Sequence, residues 1–165
     1  MDTSKNRQSK LTKWVWGTLI SVAIAFVAIA DTASAQETIS LGRNFRPDPK
    51  ILNGNGGGNV SLASIAGTND NCRGFANSAP DHIVTLKDNF PVMDILVYSQ
   101  NMNDDPTVLI KGPNGMIICA DDESRGLNPQ INRRLLKGEY QVWVGSKKAN
   151  QTFDYTLSIS EISQK

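Results

Sequence analysis

The chain has 165 residues, of which 20% are charged and 7% aromatic, and its formal net charge is +1. It contains no block of like charge. Nucleic acids and anionic membrane surfaces are bound largely through clustered basic side chains, so both are disfavoured as partners.

Residues 1–35 have the pattern of an export signal. Four basic residues precede the apolar run 14–30, and Ala33-Ser34-Ala35 supplies a small-residue cleavage pattern. We predict cleavage before Gln36 and a bacterial protein that resides in the periplasm or outside the cell. A retained membrane anchor is the alternative, because the apolar run is near the short limit for a membrane span. Cleavage would leave a net charge near −1, for which we expect no nucleic-acid partner and no stable membrane insertion.

Residues 36–58 follow as a Pro-, Gly- and Asn-rich segment that includes "RPDPKILNGNGGG". Turn-forming residues at this density predict a lead-in segment that partly drapes over the domain. Whether it forms a strand or a flexible tail is left open by the sequence. The domain itself is assigned to residues 59–165.

The rest of the chain shows short β-branched or aromatic runs between turn signals, without a sustained helical period. Strands are expected at 82–86, 92–99, 107–111, 116–120, 138–145 and 152–162, and weakly at 60–64. This spacing predicts an all-β, antiparallel, jelly-roll-like sandwich of about seven to nine short strands.

The run "GEYQVWVG" (138–145) alternates between two faces. Tyr140, Val142 and Val144 are expected in the core, which turns Trp143 to the opposite face. An exposed Trp143 could stack on a sugar ring or a peptide side chain, and it is a hypothetical binding surface. Alternatively, the N-terminal segment around Phe45 covers it.

The two cysteines, Cys72 and Cys119, both lie after the predicted cleavage site. In an exported chain two cysteines most simply form one disulfide. A pair of free buried thiols is the alternative.

The segment "CADDESRGLNP" (119–129) gathers oxygen ligands at the end of a predicted strand. An alternating course of the strands brings the loop before residue 107 to the same end. A hypothetical calcium site would use the following residues: Asp104, Asp105, Asp121, Asp122, Glu123 and Asn128. Calcium takes six to eight oxygen ligands in flexible geometry, although the spacing is not that of an EF-hand. The alternative is a hydrated loop, in which Lys147 and Lys148 pair weakly with the acids.

The residue inventory opposes catalysis. The single histidine, His82, is expected to be a capping or surface residue, and no nucleophile turn such as G-x-S-x-G is present. Adjacent carboxylates on an exposed loop lack the apolar setting that raises the pKa of one of them. One histidine and two paired cysteines are too few ligands for zinc. We therefore predict a protein that is not an enzyme.

Four segments together resemble the bacterial pre-peptidase C-terminal domain family: "MDILVYS", "LIKGPNGMIICADDES", "LLKGEYQVWVGS" and "FDYTLSIS". They occur in that family's order and spacing. The fuller pattern "FRPDPKILNGNGGG…C.GF…PDH…CADDESRGLNP…VWVG" is similar to a subgroup of small standalone secreted proteins. The resemblance implies a small β-sandwich. Family members are appended to secreted peptidases and are associated with secretion, with targeting of a neighbouring enzyme or with substrate adhesion.

The leading hypothesis is an exported, non-catalytic binding or accessory module whose acidic loop end binds calcium. Its partner would be a protein, a peptide or a polysaccharide. The alternatives are a carbohydrate- or peptide-binding module that uses an exposed Trp143, and a self-associating structural protein of the envelope. A hydrolase fits the residues least.

Overall fold

The computed structural model describes residues 36–67, 72–101, 103–124 and 126–164. The predicted signal peptide at 1–35 lies outside the described residues. The described part contains eleven strands, one five-residue helix, α1 (Leu62–Ala66), and a 3₁₀ turn at Pro113–Gly115. The strands are β1 (Glu37–Leu41), β2 (Lys50–Gly58), β3 (Val60–Ser61), β4 (Phe75–Ala76), β5 (His82–Leu86), β6 (Phe90–Ser99), β7 (Pro106–Lys111), β8 (Ile117–Ala120), β9 (Gln130–Leu135), β10 (Gly138–Ser146) and β11 (Gln151–Ser160).

The strands form two sheets that face each other. The four-stranded sheet has the order β2-β11-β6-β9, and the seven-stranded sheet is organised around β10, which pairs with β4, β5 and β7. All pairs are antiparallel except β1 with β5, which is parallel. The predicted all-β sandwich is confirmed, with more strands than expected.

The main core lies between the sheets. Alternation works as the sequence indicated: Tyr140, Val142 and Val144 of β10 enter this core, together with Phe153, Tyr155, Leu157 and Ile159 of β11. A second, smaller buried cluster, which we call the second cluster, lies on the other face of the seven-stranded sheet, where α1 and the segment that contains Cys72 cover it. Its members are Leu62, Ala66, Cys72, Ala76, Leu109 and Trp143.

The predicted lead-in segment at 36–58 is instead part of the sandwich, so the boundary expected at residue 59 is wrong. β2 pairs with β11 from Lys50 to Gly58, and β1 extends the other sheet. The glycines of β2 allow close packing: a Cβ on Gly54 would lie 2.6 Å from Tyr155 Cζ, and one on Gly56 would lie 2.9 Å from Val144 Cγ1. Glycine in a strand often marks such a close approach, here misread as turn chemistry.

Two smaller expectations are corrected. The weak strand at 60–64 is β3 followed by α1, because Leu62 and Ala66 point one helical turn apart into the second cluster. β9 was not predicted, since its exposed Asn132, Arg133 and Arg134 hide the alternation. No helix in the described residues is long and apolar enough to cross a membrane.

Candidate functional site

Three neighbouring strands of the seven-stranded sheet, β7, β8 and β10, each have one terminus at the same end of the sheet. Charged residues flank these three termini. Asp105 precedes β7, Asp121 and Asp122 follow β8, and Lys147 follows β10. The register pairs Val108 with both Ala120 and Val144. Because antiparallel neighbours alternate in direction, the start of β7 meets the ends of β8 and β10. We call Asp105, Asp121 and Asp122 the acidic cluster.

The carboxylates of the acidic cluster are close enough to share one cation. One oxygen from each lies within 4.8 Å of the others. The Lys147 ammonium sits among them, with Nζ 3.4 Å from Asp105 Oδ2, 3.7 Å from Asp121 Oδ2 and 3.3 Å from Asp122 Oδ2. The Lys147 amide also donates to the Asp105 carbonyl at 3.0 Å. One lysine against three carboxylates leaves the group with excess negative charge.

Burial in the acidic cluster is uneven. The side chains of Asp105 and Asp121 are 15% and 21% exposed, against 42% for Asp122. Asp105 Oδ1 and Asp121 Oδ1 are buried and find no hydrogen-bond partner among the described residues. Burial, and then the charge of Asp122, raises the pKa of Asp121, while the ammonium of Lys147 opposes the rise. The hydrogen bond to Asp122 raises the pKa of Lys147.

The other three residues of the hypothetical calcium site are not members of the acidic cluster, although Glu123 contacts Asp121. Asp104 accepts hydrogen bonds from Ser99 Oγ at 2.5 Å and from Gln151 Nε2 at 3.3 Å, which holds its own loop. Glu123 Oε2 accepts the Asp121 amide at 2.8 Å. The Asn128 carbonyl accepts the Ser124 amide at 2.9 Å within a short bridge that closes the loop. The structure thus brings together half of the predicted set and places Lys147 inside it.

Trp143 is not a surface residue. It is 4% exposed and packs in the second cluster, and its Nε1–H donates to the Ser78 carbonyl at 3.3 Å. The hypothesis of a Trp143 binding surface is therefore wrong. The expected cover around Phe45 is also wrong, because Phe45 packs against the main core at Phe90. What covers Trp143 is α1 and the segment near the disulfide.

The Cys72–Cys119 disulfide is present, with the two Cα atoms 5.2 Å apart. It ties the segment after α1 to β8. Strand β7 lies between β8 and β10, the strand that carries Trp143. Neither cysteine is therefore available as a thiol nucleophile or a metal ligand.

His82 lies in the core, not on the surface as expected. It is 2% exposed, and its Nε2 is 2.6 Å from Tyr155 Oη, across the gap between the sheets. Burial lowers the pKa of His82 to about 4. The signal was present in the sequence, because His82 alternates with Val84 and Leu86 on the inner face of β5.

Asp81 was not among the predicted site residues, and it binds the backbone of β10. Its Oδ2 accepts the Val144 amide at 2.7 Å, beyond the stretch where β5 pairs with β10. Burial raises the pKa of Asp81 to about 6, while the hydrogen bond from Val144 lowers it. Asp81 therefore serves as a backbone partner for β10.

Fold and site together define a disulfide-linked β-sandwich with an acidic loop end closed by one lysine. The structure is similar to the crystal structure of the pre-peptidase C-terminal domain of a collagenase from Bacillus anthracis, with a TM-score of 0.46 and 14% identity. The similarity covers 76% of this chain and 96% of that one. This is the family that the sequence motifs resemble. No protein-family model and no curated protein sequence matches the chain.

Proposed function

We propose that this protein is an exported, non-catalytic binding or accessory module whose acidic cluster takes up calcium. The observation that carries the proposal is the pair of buried oxygens, Asp105 Oδ1 and Asp121 Oδ1, that lack partners among the described residues. Buried carboxylate oxygens without donors are costly, and a hard cation would satisfy them. Asp122 would supply the third carboxylate.

Lys147 is the competitor for calcium in this proposal. Its side chain is 38% exposed, so it can swing into solvent when a divalent ion enters. Loop carbonyls and water would complete the six to eight ligands of calcium, as is usual for such sites. Calcium would stabilise the fold by joining the loops that flank β7 and β8.

The non-catalytic part of the proposal is supported by where the reactive groups lie. The single histidine is in the core and engages Tyr155, and both cysteines are in the disulfide. A general base must reach the proton that it removes, and a core imidazole does not reach a substrate in solvent. The disulfide also supports export, since disulfides persist in oxidising compartments.

The test is calcium titration calorimetry, combined with melting curves in calcium and in chelator. Saturable binding together with a raised melting temperature supports the proposal, because a ligand of the folded state must stabilise it. Asp121→Asn should abolish both effects. Asp88→Asn, an exposed aspartate that accepts the Arg43 amide, is the matched control and should keep both. If there is no binding heat and no shift of the melting temperature at millimolar calcium, the proposal is wrong. The acidic cluster would then be a set of carboxylates that pair with Lys147 alone.

A further inference from the structure

The outer face of the four-stranded sheet carries a groove that the proposed calcium site does not use. It has a volume of about 440 Å³ and is lined by Asn53, Gly54, Tyr98, Gln100, Asp154, Tyr155 and Thr156. Small-molecule clefts in proteins have volumes of roughly 300–1,000 Å³. The groove is therefore large enough for a specific small ligand or a short stretch of a polymer.

Strand register builds the groove from three strands. Thr156 of β11 lies between Asn53 of β2 and Tyr98 of β6, and Asp154 lies opposite Asn55 in the next outward row. The outward side chains of central β11 thus form the floor, while those of β2 and β6 rise on either side. This arrangement lies on the face of the sheet and not along its edge, so it offers side chains rather than unpaired backbone groups.

The protein's own C-terminal segment covers the other half of this face. Gln164 bonds to both Ser158 and Asp94, and Asp94 also accepts from Gln130 and Asn132. The polar groups there are satisfied internally, and Asp94 is fully buried. The covered half and the open groove therefore differ in what they leave for a ligand.

In the groove, internal bonds leave donors and acceptors unused. Thr156 Oγ1 donates to Asn53 Oδ1 at 3.0 Å, and Asn55 Nδ2 donates to Asp154 Oδ1 at 3.1 Å. These bonds leave the Asn53 NH₂ group and the second Asp154 oxygen without partners among the described residues. The side-chain amide of Gln100 and the hydroxyl of Tyr98 also line the groove. Neither group forms a hydrogen bond within the described part of the chain. An amide donor, a carboxylate acceptor and an aromatic ring thus line one groove.

We infer that this groove binds a neutral oligosaccharide. Sugar hydroxyls both donate and accept, which suits a lining that alternates amide donors with a carboxylate acceptor. The apolar face of a pyranose ring packs on an aromatic ring, and Tyr98 supplies that ring. Asp154 is the charged residue of the lining and no basic residue accompanies it, so sulfated or uronic-acid polymers are disfavoured. Tyr155 points into the core, so Tyr98 is the one aromatic side chain that faces outward in the lining, and this disfavours a peptide anchored by several apolar side chains.

Tyr98 and Asp154 have separate roles in this inference. Tyr98 provides the contact area, so Tyr98→Phe should keep most of the affinity and Tyr98→Ala should lose about tenfold or more. Asp154 orients hydroxyl donors, and Asp154→Asn should weaken binding several-fold. Val92→Ala is the matched control, because Val92 is an exposed apolar residue of the same strand outside the groove.

The experiment is calorimetric titration of the purified protein with cellohexaose, maltohexaose, laminarihexaose and chitohexaose, with oligogalacturonate as the anionic probe. We expect saturable binding of at least one neutral probe, lost in Tyr98→Ala and kept in Val92→Ala. Tyr98→Ala could lower stability because Tyr98 is half-buried. Asp154→Asn, an exposed substitution, keeps the inference testable in that case.

Three results would overturn the inference. The first is no saturable heat with any neutral probe at millimolar concentration. The second is binding that neither Tyr98→Ala nor Asp154→Asn weakens, and the third is binding of oligogalacturonate alone. Each titration is run in calcium and in chelator. Saccharide binding in chelator would support the groove even if the acidic cluster takes no calcium. A calcium-induced melting shift without saccharide binding would leave the proposed calcium function standing and reject the groove.

Discussion

His82 and Tyr155 join the two sheets of the sandwich through a buried hydrogen bond. His82 Nε2 of β5 and Tyr155 Oη of β11 are 2.6 Å apart, and the rings meet edge to face with centroids 5.8 Å apart. Burial lowers the pKa of His82 and raises that of Tyr155, so both groups are neutral near pH 7. Because both groups are neutral, the pair avoids the cost of burying charge, although His82 Nδ1 is buried without a partner among the described residues.

Tyr155→Phe should lower the free energy of unfolding by about 1–3 kcal/mol, because it leaves His82 Nε2 buried without a partner. Chemical denaturation at neutral pH measures the loss. Tyr140→Phe is the matched control: Tyr140 Oη donates to the Leu136 carbonyl at 2.7 Å, and Leu136 is exposed. Water can replace that partner, so the control should lose less. Equal losses in the two variants would contradict the role of the His82–Tyr155 pair.

Asp81 and His82 should respond to acid in opposite directions. Burial lowers the pKa of His82 from 6.5 to about 4, so between these values the unfolded state holds a proton that the folded state lacks. Lowering the pH through that window therefore reduces stability. Burial raises the pKa of Asp81 from 3.8 to about 6, so there the folded state holds the extra proton, and acidification adds stability. In the wild type the two contributions oppose each other.

Asp81→Asn should unmask the His82 contribution. The side-chain amide that this substitution introduces keeps an oxygen for the Val144 N–H, so the fold is expected to survive. Relative to the wild type, the variant should lose stability more steeply from pH 6 to pH 4, by at most about 3 kcal/mol. Urea denaturation across this range gives the difference. The exposed Glu139→Gln should run parallel to the wild type. A parallel curve for Asp81→Asn would show that Asp81 titrates normally.

Gly54→Ala should destabilise the protein by about 1–3 kcal/mol through overpacking. The added methyl carbon would lie 2.6 Å from Tyr155 Cζ and 3.0 Å from Cε1, and this ring is held by His82. Thermal melting compares it with Asn55→Ala, whose side chain faces outward on the same strand. If both variants melt like the wild type, β2 does not pack against Tyr155 as described.

Removing the disulfide should loosen the cover of Trp143. The cross-link spans 47 residues in sequence, and its loss in Cys72→Ser/Cys119→Ser should cost at most about 4 kcal/mol by the chain-entropy model. Trp143 is the single tryptophan outside residues 1–35, so its emission reports on the second cluster if residues 1–35 are removed. We expect a red shift in the variant, and in the wild type after reduction. Reductant should not change the variant further. Unchanged Trp143 emission in the variant and in the reduced wild type would show that the disulfide does not hold the segment that covers Trp143.

Lys147→Ala tests how the acidic cluster is balanced. In chelator the variant should melt lower than the wild type, because Asp105, Asp121 and Asp122 then repel one another without a nearby cation. Salt should narrow the difference by screening. If calcium competes with Lys147, the variant should also bind calcium more tightly. Lys148→Ala is the control, because no ion pair involves it in the described residues. Equal melting of the two variants in chelator would show that Lys147 contributes nothing to stability.

Much of the fold could be read from alternating hydrophobicity. The prediction at 82–86 coincides with β5, and those for β6, β7, β8, β10 and β11 are correct within a few residues. β2 escaped because its glycines carry no side chain by which a pattern could be recognised. Alternation on β10 correctly predicted the face of the sheet on which Trp143 lies. Its burial depends on α1 and on the segment that contains Cys72, both of which are distant from it in sequence.

For the loop end, an alternating strand course was enough to bring the start of β7 and the end of β8 together. It could not separate Asp105 from its neighbour Asp104, since adjacent loop residues point in different directions. Asp105 joins Lys147, whereas Asp104 turns to Ser99 and Gln151. The groove was equally hidden, because Asn53, Tyr98 and Asp154 come from three strands that meet only through register.

The sequence alone determined the strand-rich fold and the faces of its regular strands, and it predicted one disulfide, because these follow from local periodicity and from the number of cysteines. The tertiary structure decided which carboxylates share Lys147, what buries Trp143 and His82, and which polar side chains line one groove. Those outcomes depend on distances between residues far apart in the chain, and packing of the two sheets sets these distances.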